Sequence, residues 1–221
     1  MKATTLFTFL FLAATASFAQ GAKVPAALKK VWDTKTPAAS IPAGIAGSPL
    51  LFESFMTAKI WLASQPDAPF DAEVNYNLEK QWLVVSFGKE GQGNVAVKYL
   101  KRFEIQVGPQ TWTYEVRTDV SKAGSKEMVC YKALYHQKFT FYKQQSIKAE
   151  TVNGKPTYKN NSSYWLSTPG GQFQKIDLNQ ASLEKALPKY AKQIKTYMSQ
   201  QSNSIINETV IANLLAYLEA Q

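Results

Sequence analysis

Among its 221 residues the sequence has one cysteine, Cys130, one histidine, His136, and only two arginines, Arg102 and Arg117. A lone cysteine cannot close an internal disulfide, so stability has to come from a buried core. One cysteine and one histidine fall short of the ligand set of a structural zinc site, and there is no aspartate-rich loop for calcium. No metal or other cofactor is expected. The scarcity of arginine bears on partners, because the net charge of +9 rests on 23 lysines spread along the whole chain. Specific phosphate recognition favours the bidentate arginine fork, so these lysines read as a solvated basic coat and nucleic acid is not an expected partner. Catalytic motifs are also missing. There is no G-x-S-x-G elbow, and G-K-E-G-Q-G at 88–93 lacks the P-loop ending.

Long apolar runs are absent as well. The stretch from Leu6 to Ala16 is shorter than the ~20 residues of a spanning helix. With Lys2 before it and the small residues Ser17 and Ala19 after it, it reads as a secretory signal peptide, residues 1–19. Removal of this segment is expected to leave a soluble protein with no transmembrane segment. A lipid anchor would need a cysteine at the cut site, and Cys130 lies far from it. Residues 20–47 are rich in proline and alanine (VPAALKK, TKTPAASIPAGIAG) and read as an extended leader, with Val31 and Trp32 as local anchors.

From Ser48 to Leu178 short apolar or alternating runs such as FMTAKIWLA, WLVVSF, RFEIQV and TWTYEVR are separated by turn signals such as GKEGQG, VGPQ and VNGKP. Breaks this short exclude the long crossovers of a parallel sheet. After Leu178 the period changes: Leu183, Leu187, Tyr190, Ile194 and Tyr197 recur at helical spacing. Pro188 suits a first turn, so the pattern predicts helices near 180–187 and 189–201, and a last one after the N-cap Asn207. The expected fold is α+β, a single domain over 48–221. A curved antiparallel β-meander, half-barrel-like with about eight to ten short strands, is followed by two or three C-terminal helices over 179–221.

The segments GSPLLFESFMTAKIWLA, VNYNLEKQWLVV, YKALYHQKFTFYKQ, YWLSTPGGQFQKI and SLEKALPKYAKQIKTYM together resemble a group of secreted proteins common in Bacteroidetes, over about residues 47–221. The resemblance implies a periplasmic or cell-surface location in a Gram-negative bacterium and carries no activity or site residues.

The stretch VCYKALYHQKFTFYKQQS, residues 129–146, holds both the cysteine and the histidine. In one straight strand they share a face about 20 Å apart, at ~3.3 Å per residue. If the chain turns at His136–Gln137, Tyr135 faces Lys138, Tyr131 faces Tyr142 and Cys130 faces Lys143. Either way Cys130 and His136 are out of hydrogen-bond reach, so no catalytic residue is assigned. The same hairpin places Tyr131, Tyr135 and Tyr142 on one face with Lys138 beside them, a surface able to hold a ligand unless the C-terminal helices cover it. Cys130, Leu134, Phe139 and Phe141 fall on the other face. Asp71 and Glu73 share a strand face at glycosidase-like spacing, but any alternating strand does this, and a solvated outer face is the simpler reading.

The expected function is accordingly a non-catalytic interaction module for a protein, glycan or lipid partner. A carrier of an apolar ligand or lipid is the alternative, and a carboxylate-based glycan hydrolase a weaker one.

Overall fold

The computed structural model describes residues 23–37, 44–119, 125–171, 173–201 and 205–221. The expected signal peptide lies outside them. Helix α1 (Ala26–Lys29) precedes ten strands: β1 (Met56–Leu62), β2 (Gln65–Asn77), β3 (Trp82–Ser86), β4 (Gln92–Ala96), β5 (Leu100–Val107), β6 (Gln110–Thr118), β7 (Met128–His136), β8 (Thr140–Val152), β9 (Lys155–Ser167) and β10 (Phe173–Ile176). Helices α2 (Gln180–Ala186), α3 (Ala191–Gln200) and α4 (Glu208–Glu219) follow. The fold is α+β, as expected, with every strand in one open antiparallel sheet of order β10-β9-β8-β7-β6-β5-β1-β2-β3-β4.

The order departs from a simple meander at one place. β4 ends at Ala96 and β5 starts at Leu100, yet β3, β2 and β1 lie between them in the sheet. Four strand spacings amount to about 19 Å, whereas four residues of chain reach at most about 14 Å. A flat sheet cannot satisfy both, so this half must curl over on itself. Side chains show the same curl: the ring of Tyr76 on β2 lies 6.1 Å from that of Tyr114 on β6, three strands away. Phe103 stacks on Tyr114 at 4.7 Å between them. The face carrying these rings is therefore concave.

The N-terminal residues complete this roll. Val24 and Leu28 are buried in the same core as Tyr76 and Phe103, and Leu28 is 0% exposed. Asp33 bridges Asn94 on the free edge of β4, and the Trp32 indole lies against Gly93, where any Cβ would come within 2.2 Å of Nε1. The anchoring expected of Val31 and Trp32 is thus present, but part of the expected leader is also core. A second strap, around Ala46–Phe52, bridges Thr157 near the tip of the β8–β9 hairpin and Asn77 at the end of β2.

The β8–β9 hairpin is long enough to serve two cores. Its tip sends Ile147 and Tyr158 into the roll, while its base sends Phe141 and Leu166 under the helices. Asn179 and Asn207 cap α2 and α4 by accepting from Ser182 N and Val210 N. The C-terminal segment delivers Leu183 from α2, Leu187 just after it, Ile194 from α3, and Ile211, Leu214, Leu215 and Leu218 from α4 to that second core. Among the described residues no helix is long and apolar enough to cross a membrane.

Leu28→Ala tests whether the N-terminal segment is structural. The substitution is expected to cost about 2–5 kcal/mol in urea unfolding, the range for a buried leucine; a loss below about 0.5 kcal/mol would return the segment to the status of a linker.

Candidate functional site on the concave face

The four residues expected to form one ligand surface, Tyr131, Tyr135, Tyr142 and Lys138, do not share a face. The β7–β8 register runs Lys132↔Lys143, Ala133↔Tyr142, then Tyr135↔Phe141 and His136↔Thr140, with a bulge at Leu134. The extra residue reverses the alternation, so Tyr135 joins Phe141 on the concave side while Tyr131 and Tyr142 stay convex. The turn is also longer than expected: Gln137, Lys138 and Phe139 form it, and Lys138 stands exposed. Glu219, the last residue of α4, fixes this geometry by accepting from Phe139 N at 2.7 Å and from Tyr135 Oη at 2.8 Å. Partial desolvation and this carboxylate push the Tyr135 hydroxyl up to about 12.

On the convex face Tyr131 and Tyr142 are both 0% exposed. The C-terminal helices, expected as a possible cover, lie on the other side of the sheet. The cover is instead Trp165 and Phe173: Phe173 lies 5.2 Å from Tyr131 and 5.6 Å from Tyr142, and Trp165 6.0 Å from Tyr131, ring centre to ring centre. Arg117 caps the cluster, with its guanidinium 4.9 Å from the Tyr142 ring centre and 5.3 Å from that of Phe173. Its Nη2 donates to Glu115 Oε2 at 2.9 Å and to Tyr142 Oη at 2.7 Å, and Tyr142 Oη donates in turn to Glu115 at 2.8 Å. Burial first, and then the Glu115 carboxylate, raise the Tyr142 hydroxyl above its ordinary range. His136 Nδ1 lies 3.4 Å from the other oxygen of Glu115. These rings and charges are used by the fold, leaving little for a ligand.

The concave face presents a different arrangement. One row crosses four strands, Tyr114–Lys132–Lys143–Tyr164, through direct cross-strand pairs. The row falls between the ring-filled roll and the helix-covered core, so two lysines oppose each other where burial is partial, an unfavourable cross-strand pairing. One carboxylate serves them. Glu208, in the first turn of α4, accepts from Lys143 Nζ at 2.8 Å and from Tyr164 Oη at 2.8 Å. Burial opposes its ionisation, but Lys143 and Tyr164 hold its carboxyl below the ordinary value. Lys132 has no such partner among the described residues. Its Nζ sits 3.0 Å from the centre of the Trp112 ring, an interaction with an aromatic face in place of a carboxylate. Burial first, then Lys143, lower its amine to about 8, with Glu208 offsetting part of the shift. Beyond the row the same face carries Gln145, Ser162 and Asn160, the last two exposed.

Cys130 and His136 end up on opposite faces, because the Leu134 bulge reverses the expected alternation. The thiol lies in the roll, where burial pushes it up to about 12 and a hydrogen bond with Tyr76 offsets part of that rise. Asp71 and Glu73 are exposed and pair across the strand with Lys59 and Thr57. Among the described residues no three His, Cys, Asp or Glu side chains gather as metal ligands. Sequence reasoning missed the Lys132–Lys143 pair. Both residues lie in the quoted hairpin, but only the correct register brings them opposite each other. Comparison with protein-family models, curated proteins and solved structures finds no match to this chain.

Two predictions follow from these environments. Tyr131→Ala and Tyr142→Ala should each destabilise the protein by about 3–5 kcal/mol, as for other buried aromatic truncations, read from the urea midpoint. Lys132→Met keeps the apolar stem and removes the charge. Below about pH 8 the amine is protonated in both folded and unfolded chains, and its burial penalty is fully present. Between about 8 and the ordinary 10.5 the unfolded chain binds more protons, so the contribution of Lys132 to stability improves as pH rises. The variant is therefore expected to melt above the wild type at pH 7, with the gap narrowing towards pH 10; a gap that stays constant or widens would contradict the assigned burial penalty.

Proposed function

We propose that this chain is an exported, non-catalytic interaction module of the periplasm or cell surface of a Gram-negative bacterium. Its partner docks on the concave row through an anionic group. The observation that carries this reading is Lys132, a half-buried ammonium opposite a second lysine, with the nearby Glu208 carboxylate engaged by Lys143 and Tyr164 and no ion pair of its own among the described residues. Burying charge without a counterion costs stability, and nothing in the packing of the two cores requires a lysine there. A partner that brings a carboxylate or similar group would supply the missing charge. The signal-like first segment and the resemblance to secreted proteins support export.

An interaction module is preferred to a carrier of apolar molecules because Tyr76, Phe103 and Tyr114 occupy the interior of the roll with their own rings. It is preferred to a hydrolase because Asp71 and Glu73 stand on an exposed strand face, across from Lys59 and Thr57.

Titrating the protein at low salt with poly-L-glutamate, polygalacturonate and vesicles rich in anionic lipid separates the partner classes. At least one of the three is expected to bind, and Lys132→Met should weaken that binding about tenfold without lowering the melting temperature. Equal binding by wild type and variant to every probe would remove the row as a docking site. Turnover of any of the polymers would overturn the non-catalytic reading.

A further inference from the structure

A cleft of about 300 Å³ lies between the N-terminal segment and the outer face of β3–β4, and it is separate from the concave row. Its walls include Trp82, Asn94, Tyr99, Asp33 and Lys30. The cross-strand pair Trp82↔Ala96 and the alternation along β4 put Trp82, Ala96 and the Asn94 side chain on one face of the sheet. We propose that this cleft is a binding site for a neutral, hydroxyl-bearing ring, a pyranose sugar unit.

Three observations converge on that chemistry. Asn94 is 3% exposed, and its Nδ2 donates to Thr36 O at 3.0 Å, which fixes the amide so that Oδ1 is the atom left over. That oxygen is buried and has no hydrogen-bond partner among the described residues, a condition natural proteins rarely leave in place, and Asn94 lines the cleft. Tyr99 is 40% exposed, an uncommon position for a large ring, and with Trp82 it offers apolar surface in the same cleft. The charges beside the cleft select against ions. An anion would meet the acceptor oxygen of Asn94 and the Asp33 carboxylate, whereas a cation would meet Lys30 and Lys98, whose Nζ lies 5.0 Å from the Tyr99 ring centre. A sugar supplies what remains, with a hydroxyl to donate to Oδ1 and an apolar ring face to lie on Trp82 and Tyr99. The volume is at the small end of ligand pockets and suits one ring.

The walls of the site are held in place by their own contacts. The Asp33–Asn94 bridge pairs the N-terminal segment to β4, and Asp33 accepts from Lys35 N, Thr36 N and Thr36 Oγ1, closing a tight turn beside the cleft. Trp32, which also lines the cleft, presses its indole on Gly93 and keeps the segment in register.

The test is ligand-observed NMR and calorimetry on the whole chain, using methyl glycosides of glucose, galactose and mannose together with N-acetylglucosamine, and sorbitol as an acyclic control. At least one pyranoside is expected to bind more tightly than sorbitol and to shift the Asn94 side-chain amide resonances. Tyr99→Ala, which removes an exposed ring, should weaken that binding at least ~fivefold with an unchanged melting temperature, and Trp82→Ala should weaken it as well. Lys132→Met should leave it intact, so failure here is distinguishable from failure of the concave row. No binding of any pyranoside at ~50 mM would overturn the proposal, as would binding indifferent to both ring substitutions, or an ordered water on Asn94 Oδ1 that no pyranoside displaces.

Discussion

The architecture depends on one hairpin having to satisfy two cores at once. β8 and β9 pair along their full length, Thr140↔Ser167 to Val152↔Lys155. At one end their concave side chains are claimed by the roll, at the other by the helices. Neither core reaches across the middle, so the residues there can be polar without disturbing either. That is where Lys132, Lys143, Gln145 and Ser162 lie. A hairpin half as long would serve one core only and would leave no intermediate strip. The polar row is therefore a geometric consequence of strand length, and what distinguishes it is the choice of two lysines where serine or threonine would have sufficed.

The parts of this structure that were legible in the sequence are those governed by local periodicity and caps. The strand runs, the switch to helical spacing after Leu178, Asn207 as a cap and Pro188 in a first turn all correspond to elements of the fold. The parts that were not legible depend on residues far away. The Leu134 bulge and the three-residue turn are stabilised by Glu219, some 80 positions later, so alternation counted along β7 alone assigns Tyr135 to the wrong face. The strand order was obscured for a related reason. The short link from β4 to β5 looks like any other turn, and only the pairing of β5 with β1 shows that the chain has crossed the curled sheet.

The aromatic content was the clearest sequence signal, and it divided between two uses. Tyr131, Tyr142, Trp165 and Phe173 form a closed cluster on the convex face, and Arg117 lies over the rings of Tyr142 and Phe173. Trp82 and Tyr99 line a cleft with Asn94, whose amide oxygen has no partner among the described residues. Tyrosine frequency does not separate these cases. The separating quantity is whether the polar atoms next to the rings already have partners, which becomes visible only when the strands are assembled. Glu115 satisfies its neighbours completely, whereas Asn94 does not.

The clamp made by Glu219 also has a kinetic side. A chain delivered from its N-terminus can pair β7 with β8 as soon as both have emerged, but the turn between them cannot settle until the far end of α4 arrives to accept the Phe139 amide and the Tyr135 hydroxyl. Until then the base of the hairpin lacks the contact that fixes its bulge, and the bulge is what records the register. A contact from the far end of α4 thus arbitrates an alignment begun much earlier in the chain.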